Sequence, residues 1–234
     1  VLFRSSLYTF GFLYGLVYNA LQIPEGDSVR VLNMQLDGER YSVPTYEFFE
    51  ARDQITTLEE FGAFESAISR LSIGDSGRNY PNALVEPNIF EFSRHQPLLG
   101  RSFTADDLLP GAPPSVVISH QIWQNDWQAD PNVIGKEIRV DGKMRTVVGV
   151  MPENYRFPSN TQIWLPLPES ISRSKADKYN RIRVYLRVRD GVSEAEAERE
   201  ISQLMNPIFQ QGVKLGVNFE GELTAHIESM QKAQ

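Results

Sequence analysis

The stretch Gly74-Asp75-Ser76-Gly77 is the first place in this chain to look for chemistry. A serine set between glycines is one way to present a nucleophilic hydroxyl among backbone N–H groups. That chemistry also needs a histidine base and an aspartate to orient it. The three histidines, His95, His120 and His226, all follow the serine, and Arg78 stands where the pattern would continue with glycine. Without its structural context a motif this short is weak, and the stretch reads as a turn between two strands.

Other candidate groups also read as structure. The histidines share no short spacing, so no His-x₃-His metal pair exists. Asp106-Asp107 and Glu59-Glu60 are adjacent carboxylates, and neighbours in sequence do not converge on one substrate atom. Each pair fits a helix start or a solvated turn. No Gly-x₄-Gly-Lys-Ser/Thr loop is present to cradle a phosphate. Trp123, Trp127 and Trp164 could form a sugar platform, but aromatics at helical spacing usually fill a core. No residue is assigned a catalytic, cofactor-binding or metal-binding role.

Composition narrows the field further. The 234 residues are 41% hydrophobic and 23% charged, which suits one large globular domain or two small ones. A net charge of −7 argues against nucleic acid, which calls for a basic face. The lack of cysteine removes disulfides, thiol catalysis and thiolate metal sites, and leaves the redox compartment open.

The elements that would position any site follow from periodicity. Leu7–Leu21 carries no charge, with Arg4 before it and Glu25 and Asp27 after it. A bilayer core takes about 20 apolar residues in a helix, so residues 1–24 are expected to be the truncated end of a first transmembrane helix, N-terminus in the cytoplasm. A buried core helix or a signal sequence are the alternatives. Val29–Leu36 alternates as a half-buried strand, and Thr45–Leu58 shows a helical apolar stripe. Phe61–Ile73 and Arg78–Glu86 read as paired strands, and Pro87–Gln96 as a short helix. Within Arg101–Ser170, Ser119 can cap a helix bearing Ile122, Trp123 and Trp127. Asp141-Gly142 between alternating runs is a strong hairpin signal, because a type I′ turn needs two positive φ angles. Asp130-Pro131 forces an extended approach to a turn that Gly135 releases. After a polar linker, Ile182–Val188 is a strand, and Ser193-Glu-Ala-Glu is a capping box. That box opens a helix which Pro207 should kink or end. Val217–Ile227 closes the list as a last strand.

The order is strand-helix-strand, strand-helix-strand, with a strand-rich insertion before the last strand. This is an α+β, ferredoxin-like split βαβ plan. Its porter-like part spans residues 25–100 and 181–234, the inserted part 101–170, and the linker 171–180.

From Leu98 to Pro166 the chain carries an ordered string of short motifs: Leu-Leu-Gly-Arg-Ser-Phe, Asp130-Pro-Asn-Val-Ile-Gly-Lys, Val147-Val-Gly-Val-Met-Pro and Ile163-Trp-Leu-Pro. In this order they resemble the periplasmic core domain of MacB-like, FtsX-type ABC-transporter permeases, most of all the duplicated permeases of soil bacteria. The matching residues include Gly100, Arg101, Phe103, Trp123, Asp130, Pro131, Gly135, Gly149, Pro152, Trp164 and Pro166. With Asp141 and Gly142 they are read as structural, Arg101 holding a loop with its guanidinium fork. The resemblance implies a sabre-like inserted subdomain. It also implies a non-catalytic ectodomain on the periplasmic side of a bacterial inner membrane. Its expected partners are an ABC ATPase that binds ATP outside this chain, a second permease copy in a homodimer, a periplasmic adaptor and the membrane, with no nucleic acid. Cargo and direction of transport are not implied. The competing reading is a membrane-anchored extracytoplasmic enzyme or a carbohydrate- or ligand-binding module. It would show converging carboxylates or two tryptophans exposed on one groove. The permease reading expects the three tryptophans buried and Asp106 and Asp107 facing water.

Overall fold

The alternation Leu32-Met34-Leu36 puts one face of β1 (Arg30–Leu36) into the core, and two antiparallel neighbours make β1 a central strand. The computed structural model describes residues 23–73, 76–167, 181–213 and 221–230. After β1 come the short β2 (Glu39–Tyr41) and β3 (Val43–Pro44), helix α1 (Thr45–Ala51), and the long pair β4 (Leu58–Ile73) and β5 (Ser76–Val85). Next are α2 (Ile89–Phe92), β6 (Leu99–Gly100), β7 (Ser115–Ile118), α3 (His120–Trp127), β8 (Glu137–Val140), β9 (Lys143–Val150) and β10 (Ile163–Pro166). The chain closes with β11 (Arg181–Val188), α4 (Glu194–Val213) and β12 (Thr224–Ser229).

The strands form one mixed sheet in the order β12-β1-β11-β4-β5-β10-β7-β9-β6. The first four are mutually antiparallel and, in chain order, lie 4-1-3-2. With α1 after β1 and α4 after β11 this is the ferredoxin-like split βαβ arrangement. Its second unit is β11-α4-β12. Arg78–Glu86 and Pro87–Gln96, expected from their order to belong to that unit, lie outside it as β5 and α2. Periodicity assigned those elements correctly as strand and short helix but could not say which strand each would join. β5 pairs antiparallel with β4 along its whole length and in parallel with β10 on its other side, while β6 pairs with β9.

Three apolar clusters hold the layers. The first lies between the 4-1-3-2 strands and the helices α1 and α4, and includes Leu32, Met34, Phe48, Ile201 and Met205. The second is aromatic, with Phe64, Phe90, Phe92, Phe157, Trp164 and Tyr185, and takes in Ile23 and Val29 from the segment before β1. The third packs α3 on the distal strands through Ile122, Val116, Val147 and Ile163. β4 contributes to all three, through Leu58 and Ala63, Phe64, and Leu71 in turn. At 16 residues it is about 50 Å long.

Several boundaries differ from the periodicity reading. The helix expected over Thr45–Leu58 stops at Ala51 and passes through a 3₁₀ turn, because Leu58 is needed as the first residue of β4. The helix expected over Pro87–Gln96 is α2 alone; Arg94 takes a left-handed backbone (φ 58) just beyond it. Pro207 does not end α4, which runs on to Val213. It sits on the exposed side of the helix, where the carbonyl that loses its donor can meet water. The last strand is Thr224–Ser229, with residues 217–220 of the expected span outside the described residues. The expected membrane segment also falls almost wholly on residues 1–22, outside the described ones. Among the described residues no helix is long and apolar enough to cross a membrane.

Candidate functional site at the chain's entry to the sheet

Between Ile23 and Val29 the chain enters the sheet through a short strap, and a polar network centred on Arg187 holds it there. Gly26–Ser28 form a 3₁₀ turn after Glu25, whose backbone is left-handed (φ 61). Ile23 and Val29 anchor the two ends of the strap in the aromatic cluster. Between them, the guanidinium of Arg187 on β11 donates to Ser28 Oγ at 2.9 Å and to the Pro24 carbonyl at 3.3 Å. The same group donates to Glu60 on β4 at 2.5 Å and to the Phe92 carbonyl at the end of α2 at 3.0 Å, and it stacks on the Phe92 ring at 4.6 Å. One side chain, 3% exposed, thus joins the strap, β4, β11 and α2.

Glu60 is shared. Arg94 grips its carboxylate with two donors, at 2.7 and 3.0 Å, and reaches back to Glu25 of the strap at 3.6 Å. Planar forks suit such shared carboxylates better than lysine would. Arg30 adds a tie from β1, donating to the Asp27 carbonyl at 2.7 Å and to Glu194 at the start of α4 at 2.5 Å. Arg30 also lies opposite Ser229 in the β1–β12 pair, and Met230 packs on the same aromatic cluster as Ile23. The two ends of the described domain therefore lie side by side.

Sequence reasoning missed this node. Glu59-Glu60, expected at a helix start or a solvated turn, lies in β4, with Glu59 exposed and Glu60 between two arginines. The available signal was in β11. The alternation Ile182-Val184-Leu186 gives one apolar face, and Arg187 falls on the other, which Tyr185 shows to be buried as well. A buried carboxylate, Glu86, accepts from Arg52 and from the N–H of Ala63 (3.3 Å) where β5 ends. Burial pushes its carboxyl above the usual range.

The residues singled out from the motif string lie mostly in the distal half. Arg101 forks onto Asp107 at 2.7 and 3.0 Å, and Asp107 in turn accepts from the N–H of Thr104 in a capping box. Asp106 is exposed, but the Asp107 side chain is only 6% exposed, a correction to the expectation that both face water. Burial raises the Asp107 carboxyl, yet Arg101 and Thr104 outweigh it and hold the group at about 2. Gly100 (φ 74) and Gly149 sit where backbones touch: a Cβ at Gly100 would lie 2.1 Å from the Val148 carbonyl oxygen, and one at Gly149 2.5 Å from that of Arg101. Phe103 and Trp164 are buried in the aromatic cluster, and Trp164 donates to the Phe157 carbonyl at 2.8 Å. Trp123 and Trp127 are only half-buried against the third cluster, a correction to the expectation that all three tryptophans are buried, and Trp123 donates to the Asp130 carbonyl at 2.8 Å. Asp130 caps the turn at Pro131 by accepting from Asn132 at 2.9 Å, and Gly135 (φ 85) leads out of that turn. Asp141 and Gly142, at φ 50 and 79, form the β8–β9 turn, and the Asp141 carboxylate accepts from the N–H of Arg70 at 2.7 Å. Pro152 accepts from the Tyr155 N–H at 3.2 Å, and Pro166 ends β10 opposite Val85.

These residues hold backbone. They do not converge on a substrate position. Trp164 is fully buried, Trp123 and Trp127 pack against the third cluster, and among the described residues no group of His, Cys, Asp and Glu could hold a metal. Ser76 of the Gly-Asp-Ser-Gly stretch pairs with Ile73 across the β4–β5 hairpin, while Gly74 and Asp75 lie outside the described residues.

Solved structures share this fold. A permease-protein domain from Porphyromonas gingivalis is similar at TM-score 0.63 and 17% identity, over 89% of this chain and 93% of its own. The periplasmic region of MacB from Actinobacillus actinomycetemcomitans is similar at TM-score 0.60 and 13% identity, over 92% and 95%. The extracellular domain of the noncanonic ABC-type transporter YknZ from Gram-positive bacteria gives TM-score 0.60 and 12% identity, over 84% and 99%. No curated protein matches in sequence. The model of the MacB-like periplasmic core domain matches residues 6–204, well over half of the chain. On that match, the chain belongs to the MacB-like periplasmic core domain family.

Proposed function

We propose that this chain is the periplasm-facing, non-catalytic ectodomain of an ABC-transporter permease, and that it carries ATP-driven movement to a periplasmic partner or cargo. The observation that supports this most directly is the entry geometry. The strap before β1 and the end of β12 lie together at one end of the sheet, and β4 runs from there into the distal half. A displacement delivered at the strap is thereby passed along a stiff, hydrogen-bonded strand rather than lost in a loop. ATP would act on an ATPase outside this chain, fused or separate, with a second permease copy as the other half of a homodimer. An adaptor protein is a further partner of this reading.

The test uses the full-length permease in lipid nanodiscs with its ATPase. The chain has no cysteine, so Lys143→Cys next to the β8–β9 turn gives one label site in this domain per copy. The reading expects the distance between the two copies' labels to change between nucleotide-free and ATP-bound states. Steady ATP hydrolysis with an unchanged distance distribution would overturn it.

A further inference from the structure

We propose that Arg187 is the coupling residue of the domain, the side chain through which movement of the strap reaches β4; this rests on the transmission reading above. The strap touches the body in two ways. Ile23 and Val29 make apolar contacts, which slide at little cost because dispersion has no direction. The polar contacts have fixed geometry, and those of Arg187 bind Pro24 and Ser28 on one side and Glu60 on the other. Leaving Ser28 or Pro24 would strip buried guanidinium N–H groups of their acceptors, and leaving Glu60 would strand a buried charge. The guanidinium therefore resists separation of the strap from β4.

Two further features concentrate at the same place. Glu25 and Arg94, which close the outer side of the network, are both non-glycine residues with left-handed backbone (φ 61 and 58). Strained conformations of this kind persist only where the surroundings over-determine them. Here the surroundings are the network itself: Ser28 donates to the Glu25 carbonyl at 2.8 Å, and Arg94 is tied to Glu60. The second feature is the position of Glu60. It is the third residue of β4, at the end of the strand that reaches through all three cores. A pull on the strap is thus applied to the root of the longest strand among the described residues.

The experiment places two substitution sets in the labelled full-length permease. Arg187→Met keeps length and apolar packing and removes the forked donor. Glu25→Ala with Ser28→Ala loosens the exposed strap and leaves the Arg187–Glu60 pair intact, so this second set folds even if the first does not. In both, strap amides such as that of Val29 should exchange with solvent about tenfold or more faster, as for a locally opened segment. ATP hydrolysis should continue, and the ATP-dependent change in the Lys143→Cys distance should shrink to less than about half of the wild-type change if the strap amides exchange faster. A full-sized distance change alongside faster strap exchange would overturn the coupling role while leaving the transmission reading standing. No distance change in the unsubstituted protein would instead overturn the transmission reading, and the coupling role with it.

Discussion

Ser202 on α4 accepts a hydrogen bond from the N–H of Ala225 on β12 at 2.8 Å, and it is the middle rung of a ladder. One helical turn away on either side, Asn206 accepts from the N–H of Leu223 at 3.1 Å and Glu198 from that of Ile227 at 2.7 Å. Four residues of helix rise about 6 Å and two residues of strand about 6.6 Å, so side chains at i, i+4 and i+8 can serve alternate amides. Among the described residues β12 pairs only with β1, and α4 closes its outer edge in place of another strand. An open edge is a template for pairing with another chain; this one is blunted by side chains.

Ser202→Ala is expected to cost about 1–3 kcal/mol, because the Ala225 N–H loses its partner. Urea unfolding of the isolated domain measures it, and a loss within error of zero would mean that water replaces the rung freely.

Gly100→Ala should destabilise far more than Gly142→Ala. A Cβ at Gly100 collides with the Val148 carbonyl oxygen at 2.1 Å and with Ile134 at 2.9 Å, whereas at Gly142 nothing lies within 4 Å. Both have positive φ, so both carry backbone strain of about 1–3 kcal/mol. Only Gly100 adds overpacking, about 1–3 kcal/mol more. At Gly142, valine should be worse than alanine, since a β-branched residue tolerates positive φ poorly. Thermal melts of the three variants should rank in that way, and equal shifts for Gly100→Ala and Gly142→Ala would remove the close-approach argument.

Acid should weaken the domain through Glu200 and Asp107. Glu200 on α4 accepts from both the N–H and the hydroxyl of Thr56 and of Thr57, at 2.5–3.1 Å. Desolvation pushes its carboxyl up, but those four donors win and hold it at about 2, well below 4.5. A carboxylate depressed in the folded state contributes stability that is present above its unfolded pKa and lost as pH falls through the folded one. The loss therefore falls between about 4.5 and 2 for Glu200, and between about 3.8 and 2 for Asp107. Glu86 and Glu47, raised by burial, act in the opposite sense. Comparing Glu200→Gln with the parent at pH 5 and pH 2.5 isolates the one group. The variant should lose less stability on acidification, and parallel losses would contradict the assignment.

Trp164→Ala should cost about 3–5 kcal/mol, the range for deleting a fully buried aromatic side chain. The ring is 0% exposed, lies near Phe90 and Tyr155, and carries the hydrogen bond to the Phe157 carbonyl. If a calorimetric or denaturant measurement gave under about 1 kcal/mol, within the range of surface substitutions, the aromatic cluster would not be a close-packed core around Trp164.

The sequence by itself determined what depends on near neighbours. The Ser193–Glu196 capping box, the Ser119 cap and the Asp141-Gly142 turn all form as their residue types require, since each partner lies within a few positions. The ordered motif string named the family, and the α+β class followed from where periodicity switches between two and 3.6. What only the tertiary structure decided is which strand joins which, and which charges meet. β11 lies between β1 and β4, and that alone brings Arg187 to Glu60, 127 residues earlier in the chain. Local pattern reports that a face is buried; it does not report which carboxylate waits there. For the same reason α4 was legible as an amphipathic helix, while the use of Glu198, Ser202 and Asn206 to seal β12 was not. Polar side chains on a helix look solvent-facing until the edge they cover is known.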